Sequence, residues 1–133
     1  MCFGPSTAPL QSTHSLHIVS RMTRYCLACD LKDDPQLIQR YKDHHASVWP
    51  EITKSIRESG ITDMQIFLTG NRLFMIMETD DAHFSFSKKA EADRSNPRVQ
   101  EWESLMDTFQ QHLPWAQGAK WVMMDKIFQL ESE

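Results

Sequence analysis

The stretch from Pro35 to Gly60 constrains the fold of this chain more than any other part of it. Leu37, Ile38, Tyr41, Val48, Trp49, Ile52 and Ile56 recur at the spacing of one helical face. Asp34 precedes Pro35 as an N-cap precedes an N1 proline, and Gly60 follows the last periodic residue as a C′ glycine. The spacing predicts a helix from Pro35 to about Ser59. Pro50 lies inside it, so a kink near Ser47–Trp49, or two helices in tandem, is expected.

Strand-like runs stand on both sides. Arg24–Leu31 is short and apolar and leads into a turn-like Lys32-Asp33-Asp34-Pro35. Thr62–Leu68 and Arg72–Thr79 are joined by Thr69-Gly70-Asn71, which reads as a hairpin connection. A second helical region lies between Asp81 and His112 and is interrupted near Asn96-Pro97. Its better half, Arg98–His112, places Val99, Trp102, Leu105, Met106 and Phe109 at helical spacing. Pro114 and Gly118 mark a loop, and Lys120–Leu130 reads as a last strand. The resulting order, β-α-β-β-α-β, is the ferredoxin-like α+β pattern: a four-stranded antiparallel sheet with two helical regions on one face. The other face, carrying Met, Phe and Leu, needs a cover. A second copy of the sheet or a ligand would supply it.

Composition excludes several partners. The chain has 133 residues, 41% hydrophobic and 24% charged, with a net charge of −4, which suits one ordinary domain with one core. Lys and Arg are scattered apart from Lys88-Lys89, so no basic stripe marks a nucleic-acid surface. No apolar run approaches the roughly 18 residues of a membrane span. Residues 1–22 lack a basic start and an apolar core, so they read as a flexible leader rather than a signal peptide. The regular pattern begins just after Met22, which makes Met22 a candidate start and residues 23–133 the domain. A cytoplasmic protein is the expectation.

Chemistry has few places to sit. His45 falls about 20° from the centre of the first helix's apolar stripe, with Tyr41 one turn before it and Trp49 one turn after. A histidine between two inward aromatics offers a proton-transfer group beside a sugar-stacking surface. Pattern alone favours the plainer reading of a core histidine with a backbone partner. His44 points elsewhere, no HxxxH spacing exists, and no metal site is expected. Asp30, Glu78 and Asp125 lie at or near strand ends, and an acid paired with His45 could share acid and base duties; Glu78 and Asp125 are the candidates kept. Cys26-x-x-Cys29 sits in a strand with its thiols on opposite faces, so it reads as packing rather than redox or metal chemistry.

Tyr41-x-x-x-His45-x-x-x-Trp49-Pro50-Glu51, followed by Ile52 and by Gly60 before the next strand, resembles the signature of the L-rhamnose mutarotase family. The strand Arg72–Glu78, the Trp102 helix and a closing Lys126-Ile127-Phe128 fall in the family's order, over about residues 23–130. The resemblance implies a dimeric α+β barrel without metal or organic cofactor that interconverts the anomers of a 6-deoxy-L-hexose. Carried over by position, His45 is the catalytic proton donor, and Tyr41 and Trp102 contact the sugar beside Trp49. Met64 stands where the family has a sugar-binding tyrosine, Glu103 where it has a second tryptophan, and Lys126 where it has a glutamate. A pocket altered in this way should recognise different hydroxyls, which brings L-fucose forward beside L-rhamnose. Two rival readings use the same barrel: a cofactorless monooxygenase or haem-handling protein, and a dimeric binding module without catalysis.

Overall fold

The computed structural model describes residues 21–131, so most of the expected leader lies outside the described residues. The elements run β1 (Met22–Leu31), α1 (Pro35–Ala46), α2 (Pro50–Glu58), β2 (Ile61–Thr69), β3 (Arg72–Asp80), α3 (Phe86–Ser95), α4 (Pro97–Asp107), β4 (Gln110–Gln111) and β5 (Val122–Met123). β1 pairs antiparallel with β3, and β3 with β2, giving the order β2-β3-β1-β4; β5 joins β1 on the same edge as β4. The α+β architecture agrees with the sequence reading, and the sheet has five strands rather than four.

Local chemistry explains the helix boundaries. The Asp34 carboxylate accepts from the amides of Gln36 and Leu37 at 2.9 and 3.3 Å, capping α1. Asn96 caps α4 through Arg98 and Val99 at 3.0 and 3.3 Å, with Pro97 at N1. Pro50 does not kink a continuous helix. It opens a new one, because the chain turns extended at Trp49.

Gly60 turns the chain from α2 into β2 with φ +98°, a backbone that suits glycine. A Cβ there would stand 2.8 Å from the Phe84 amide nitrogen. β2 then carries an irregularity in its pairing with β3 between Ile61 and Asp63, which leaves Thr62 as an extra residue at the strand's start.

One face of the sheet carries Leu27, Cys29, Leu31, Leu73, Met75 and Met77 against Tyr41, Ile52, Val99, Trp102 and Met106 from the helices. Cys29 is sealed in this layer, where burial pushes its thiol up to about 12. Cys26 lies on the opposite face, as strand alternation requires.

The expected last strand, Lys120–Leu130, is largely absent. After the amide of Met124 donates to the Cys26 carbonyl at 2.8 Å, the chain leaves the β1 edge. Without a strand to pair with, Ile127 is 95% exposed and Phe128 74%.

Candidate active site

α1, α2, the start of β2 and one tryptophan of α4 enclose a cavity of about 420 Å³, within the range of small-molecule sites. Val48, Ile52, Ile56, Ile61, Met64, Ile66 and Trp102 make its apolar wall, and His45, Thr53, Arg57 and the Thr62–Asp63 segment complete the lining; the register pairs Asp63 with Glu78, on the sheet face turned from the helices.

His45 is held from behind. Its Nδ1 lies 2.8 Å from the carbonyl oxygen of Tyr41, one turn back. A carbonyl only accepts, so Nδ1 carries the hydrogen and Nε2 of the neutral ring keeps a free lone pair. Burial holds the imidazole below its ordinary range, opposed by the bond to Tyr41 and aided by neighbouring His44. The resting group is therefore a neutral base at pH 7.

Trp102 is almost completely buried and meets His45 edge-on with ring centroids 5.6 Å apart. Trp49 backs it at 5.0 Å without lining the cavity. The Arg98 guanidinium stacks 3.7 Å from the Trp49 ring centroid and donates to Glu51 and Glu101 at 3.0 and 2.9 Å, pinning the α1–α2 corner to α4. Tyr41 is stacked on His45 at 4.2 Å and buried, and its hydroxyl accepts from Gln110 at 3.4 Å. Desolvation holds that phenol well above its ordinary range. Tyr41 does not line the cavity; it reaches it only through His45.

The structure thus brings His45, Met64 and Trp102 to one cavity with Trp49 behind them. Glu78 and Asp125 stay away from it. Glu78 pairs with Arg24 at 3.0 Å on the sheet surface turned from the helices, and Asp125 follows β5 in the exposed tail. Asp30 is held by Arg72 at 2.8 Å. Sequence reasoning passed over Thr53, Arg57, Thr62 and Asp63. A signal for two of them was available: Thr53 and Arg57 continue the Tyr41, His45, Trp49 series at the same four-residue spacing.

Among the described residues no group of three or more His, Cys, Asp or Glu is placed to hold a metal ion. None of their helices is long and apolar enough to cross a membrane.

The L-rhamnose mutarotase family model matches residues 24–130. An L-fucose mutarotase of Xanthomonas campestris pv. campestris is 41% identical over 112 residues, covering 82% of this chain and 89% of that protein. A UPF0734 protein of Dictyostelium discoideum is 38% identical over 114 residues, 80% of this chain and 89% of that one. The crystal structure of an L-rhamnose mutarotase from Formosa agariphila superposes with a TM-score of 0.60 at 21% identity, covering 82% of this chain and 99% of that one. The last likeness shows the fold, a ferredoxin-like α+β domain.

Proposed function

The chain belongs to the L-rhamnose mutarotase family, and from that premise we propose that it interconverts the α and β anomers of L-fucose with His45 as the proton-transfer group. It is an isomerase of sugar anomers; the sugar and the mechanism are our reading. The observation that carries the mechanism is the bond from His45 Nδ1–H to the Tyr41 carbonyl. It leaves Nε2 as a neutral base in a largely apolar cavity.

Anomer exchange moves one proton and breaks one bond. Nε2 takes the O1 hydroxyl proton, the O1 lone pair forms the C1 carbonyl, and the C1–O5 electron pair passes to O5. The imidazolium then gives its proton to O5. Rotation about C1–C2 and the reverse sequence close the other anomer. O1 and O5 are both bonded to C1, so a single imidazole reaches both. With Glu78 and Asp125 away from the cavity, no second side chain is required. Trp102, Met64 and the isoleucines offer the apolar surface that a C6 methyl suits.

L-Fucose is favoured over L-rhamnose by the Xanthomonas relative's likeness. It is favoured also by Met64, a side chain that cannot donate to a sugar hydroxyl. The same reading makes the protein a homodimer in the cytoplasm. The sheet face opposite the helices carries Cys26, Phe67, Phe74 and Ile76, with Phe67 52% exposed, and the tail leaves Ile127 and Phe128 exposed. A second copy would cover both. The cysteines Cys26 and Cys29 are free thiols, as suits a reducing compartment.

Line-shape or saturation-transfer NMR of L-fucose and L-rhamnose tests the substrate. Faster exchange of L-fucose is expected, and acceleration of L-rhamnose alone contradicts the choice of sugar. Sedimentation velocity tests the dimer: the wild type should run as two chains and Phe67→Glu should weaken association. A monomeric wild type excludes the dimer.

A further inference from the structure

Resting on the reading of His45 above, we infer that Arg98 is a positioning residue for proton transfer: from α4, outside the cavity, it fixes the α1–α2 corner and with it the aim of the imidazole. His45 stands next to last in α1, in the turn where a helix runs out of amides to pair with its carbonyls. α1 ends at Ala46 and α2 begins at Pro50, so Ser47, Val48 and Trp49 alone make the corner. No side chain caps the start of α2. The rigidity that a proton-transfer group needs has to come from outside these two helices.

A stack of side chains supplies it. Ring centroids lie 4.2 Å apart for Tyr41 and His45, 5.6 Å for His45 and Trp102, and 5.0 Å for Trp102 and Trp49. The Arg98 Cζ then stands 3.7 Å from the Trp49 centroid. Tyr41 and Trp102 are fixed by burial. Trp49 is only half-buried, and the cation over its ring holds it.

The residue so held is the one that opens α2, because the Trp49 carbonyl accepts from the amides of Ile52 and Thr53 at 2.9 and 3.3 Å. The same guanidinium reaches Glu51 in the first turn of α2 at 3.0 Å. Arg98 is itself well anchored. Its amide donates to the Asn96 cap at 3.0 Å, its neighbour Val99 is buried, and Glu101 braces the guanidinium at 2.9 Å. One planar cation thus meets a ring face and two carboxylates together, a geometry that suits arginine and not lysine.

Arg98, Glu51 and Trp49 do not line the cavity, so their effect passes through His45. A loosened corner moves the imidazole off its near-attack place, which lowers kcat more than it weakens binding. It also lets water reach the ring and relieves the burial that holds its pKa down.

The test compares wild type, Arg98→Ala and Glu51→Ala, reading kcat and KM for L-fucose exchange by NMR and the His45 pKa by NMR titration of the imidazole. The titratable groups around His45 are the same in all three: Tyr41 and His44 beside it, and Arg57 and Asp63 among the lining residues. Charge alone moves the two variants in opposite directions, since losing the Arg98 cation favours the imidazolium and losing the Glu51 anion disfavours it. Positioning moves both the same way, upward toward 6.5. We expect that common rise, with kcat about tenfold or more lower in Arg98→Ala, less so in Glu51→Ala, and KM within about threefold of wild type. Arg98 and Glu51 are 41% and 52% exposed, so both variants should fold, and urea unfolding checks this. Opposite pKa shifts, or an unchanged kcat in Arg98→Ala, overturn the inference. If the wild type does not speed L-fucose exchange, the reaction reading fails by itself; a common pKa rise still upholds the positioning, and opposite shifts still overturn it.

Discussion

The Nδ1–H of His45 donates across 2.8 Å to the carbonyl oxygen of Tyr41, one turn earlier on α1. This contact joins the fold to the chemistry. A helical carbonyl fixes which imidazole nitrogen is free. In the proposed mechanism Tyr41 would act through its backbone and through the ring stacked on His45, rather than through its hydroxyl.

The acid side of the pH profile follows from the burial of that imidazole. Desolvation places its folded pKa below the ordinary 6.5. Exchange should be level near pH 7 and fall as pH drops through the depressed value, because an imidazolium cannot accept the O1 proton. Stability carries the same sign. Between 6.5 and the folded pKa the unfolded chain binds more protons, so the stability present above 6.5 declines as pH falls through that window. NMR exchange rates and urea midpoints against pH, for wild type and His45→Gln, measure both. An acid limb centred above 6.5 would argue against the assignment.

Trp102 is the largest of the fully buried side chains, at 1% exposure. Trp102→Ala should cost about 3–5 kcal/mol, as large-to-small core changes do. Trp102→Phe keeps a ring against Trp49 and His45 and should cost less. Denaturant unfolding orders the two. Equal losses would mean that the indole is not the packing centre of the α1–α4 contact.

Lys89 and Asp93 form an ion pair at 2.7 Å on α3 with side chains only 2% and 5% exposed. Lys89→Met strands a buried carboxylate and should destabilise by about 3–5 kcal/mol. Replacing both, with Lys89→Met and Asp93→Leu, should recover most of that loss. A double-mutant cycle reads the coupling, and additive losses would show that the pair contributes nothing as a pair.

The sequence announced much of this fold because local chemistry governs its helix ends and turns. Asp34-Pro35, Asn96-Pro97 and Gly60 each mark an element boundary by capping or backbone geometry, and the structure keeps all three. The Lys120–Leu130 run fared otherwise. Its apolar residues look like a strand, yet strand formation needs a neighbour's hydrogen bonds, and only the few residues beside Cys26, Leu27 and Ala28 find them. The site divides in the same way. His45 was legible from its place on the apolar stripe. The lining from the start of β2 was not, because it depends on the Gly60 turn that brings β2 back beside α2.

Gly60→Ala tests that turn. The added Cβ meets the Phe84 amide at 2.8 Å, and alanine is strained at φ +98°, so a loss of about 1–3 kcal/mol is expected. Thermal unfolding measures it, and an unchanged midpoint would show that the turn relaxes without cost.

The measurement that bears most directly on the account is anomer exchange of L-fucose by saturation-transfer NMR, with wild type and with His45→Ala at matched concentration and verified folding. The account predicts acceleration by the wild type and a loss of at least about 100-fold in the variant, the scale of one positioned acid–base group. A folded His45→Ala protein that exchanges anomers at the wild-type rate would contradict it.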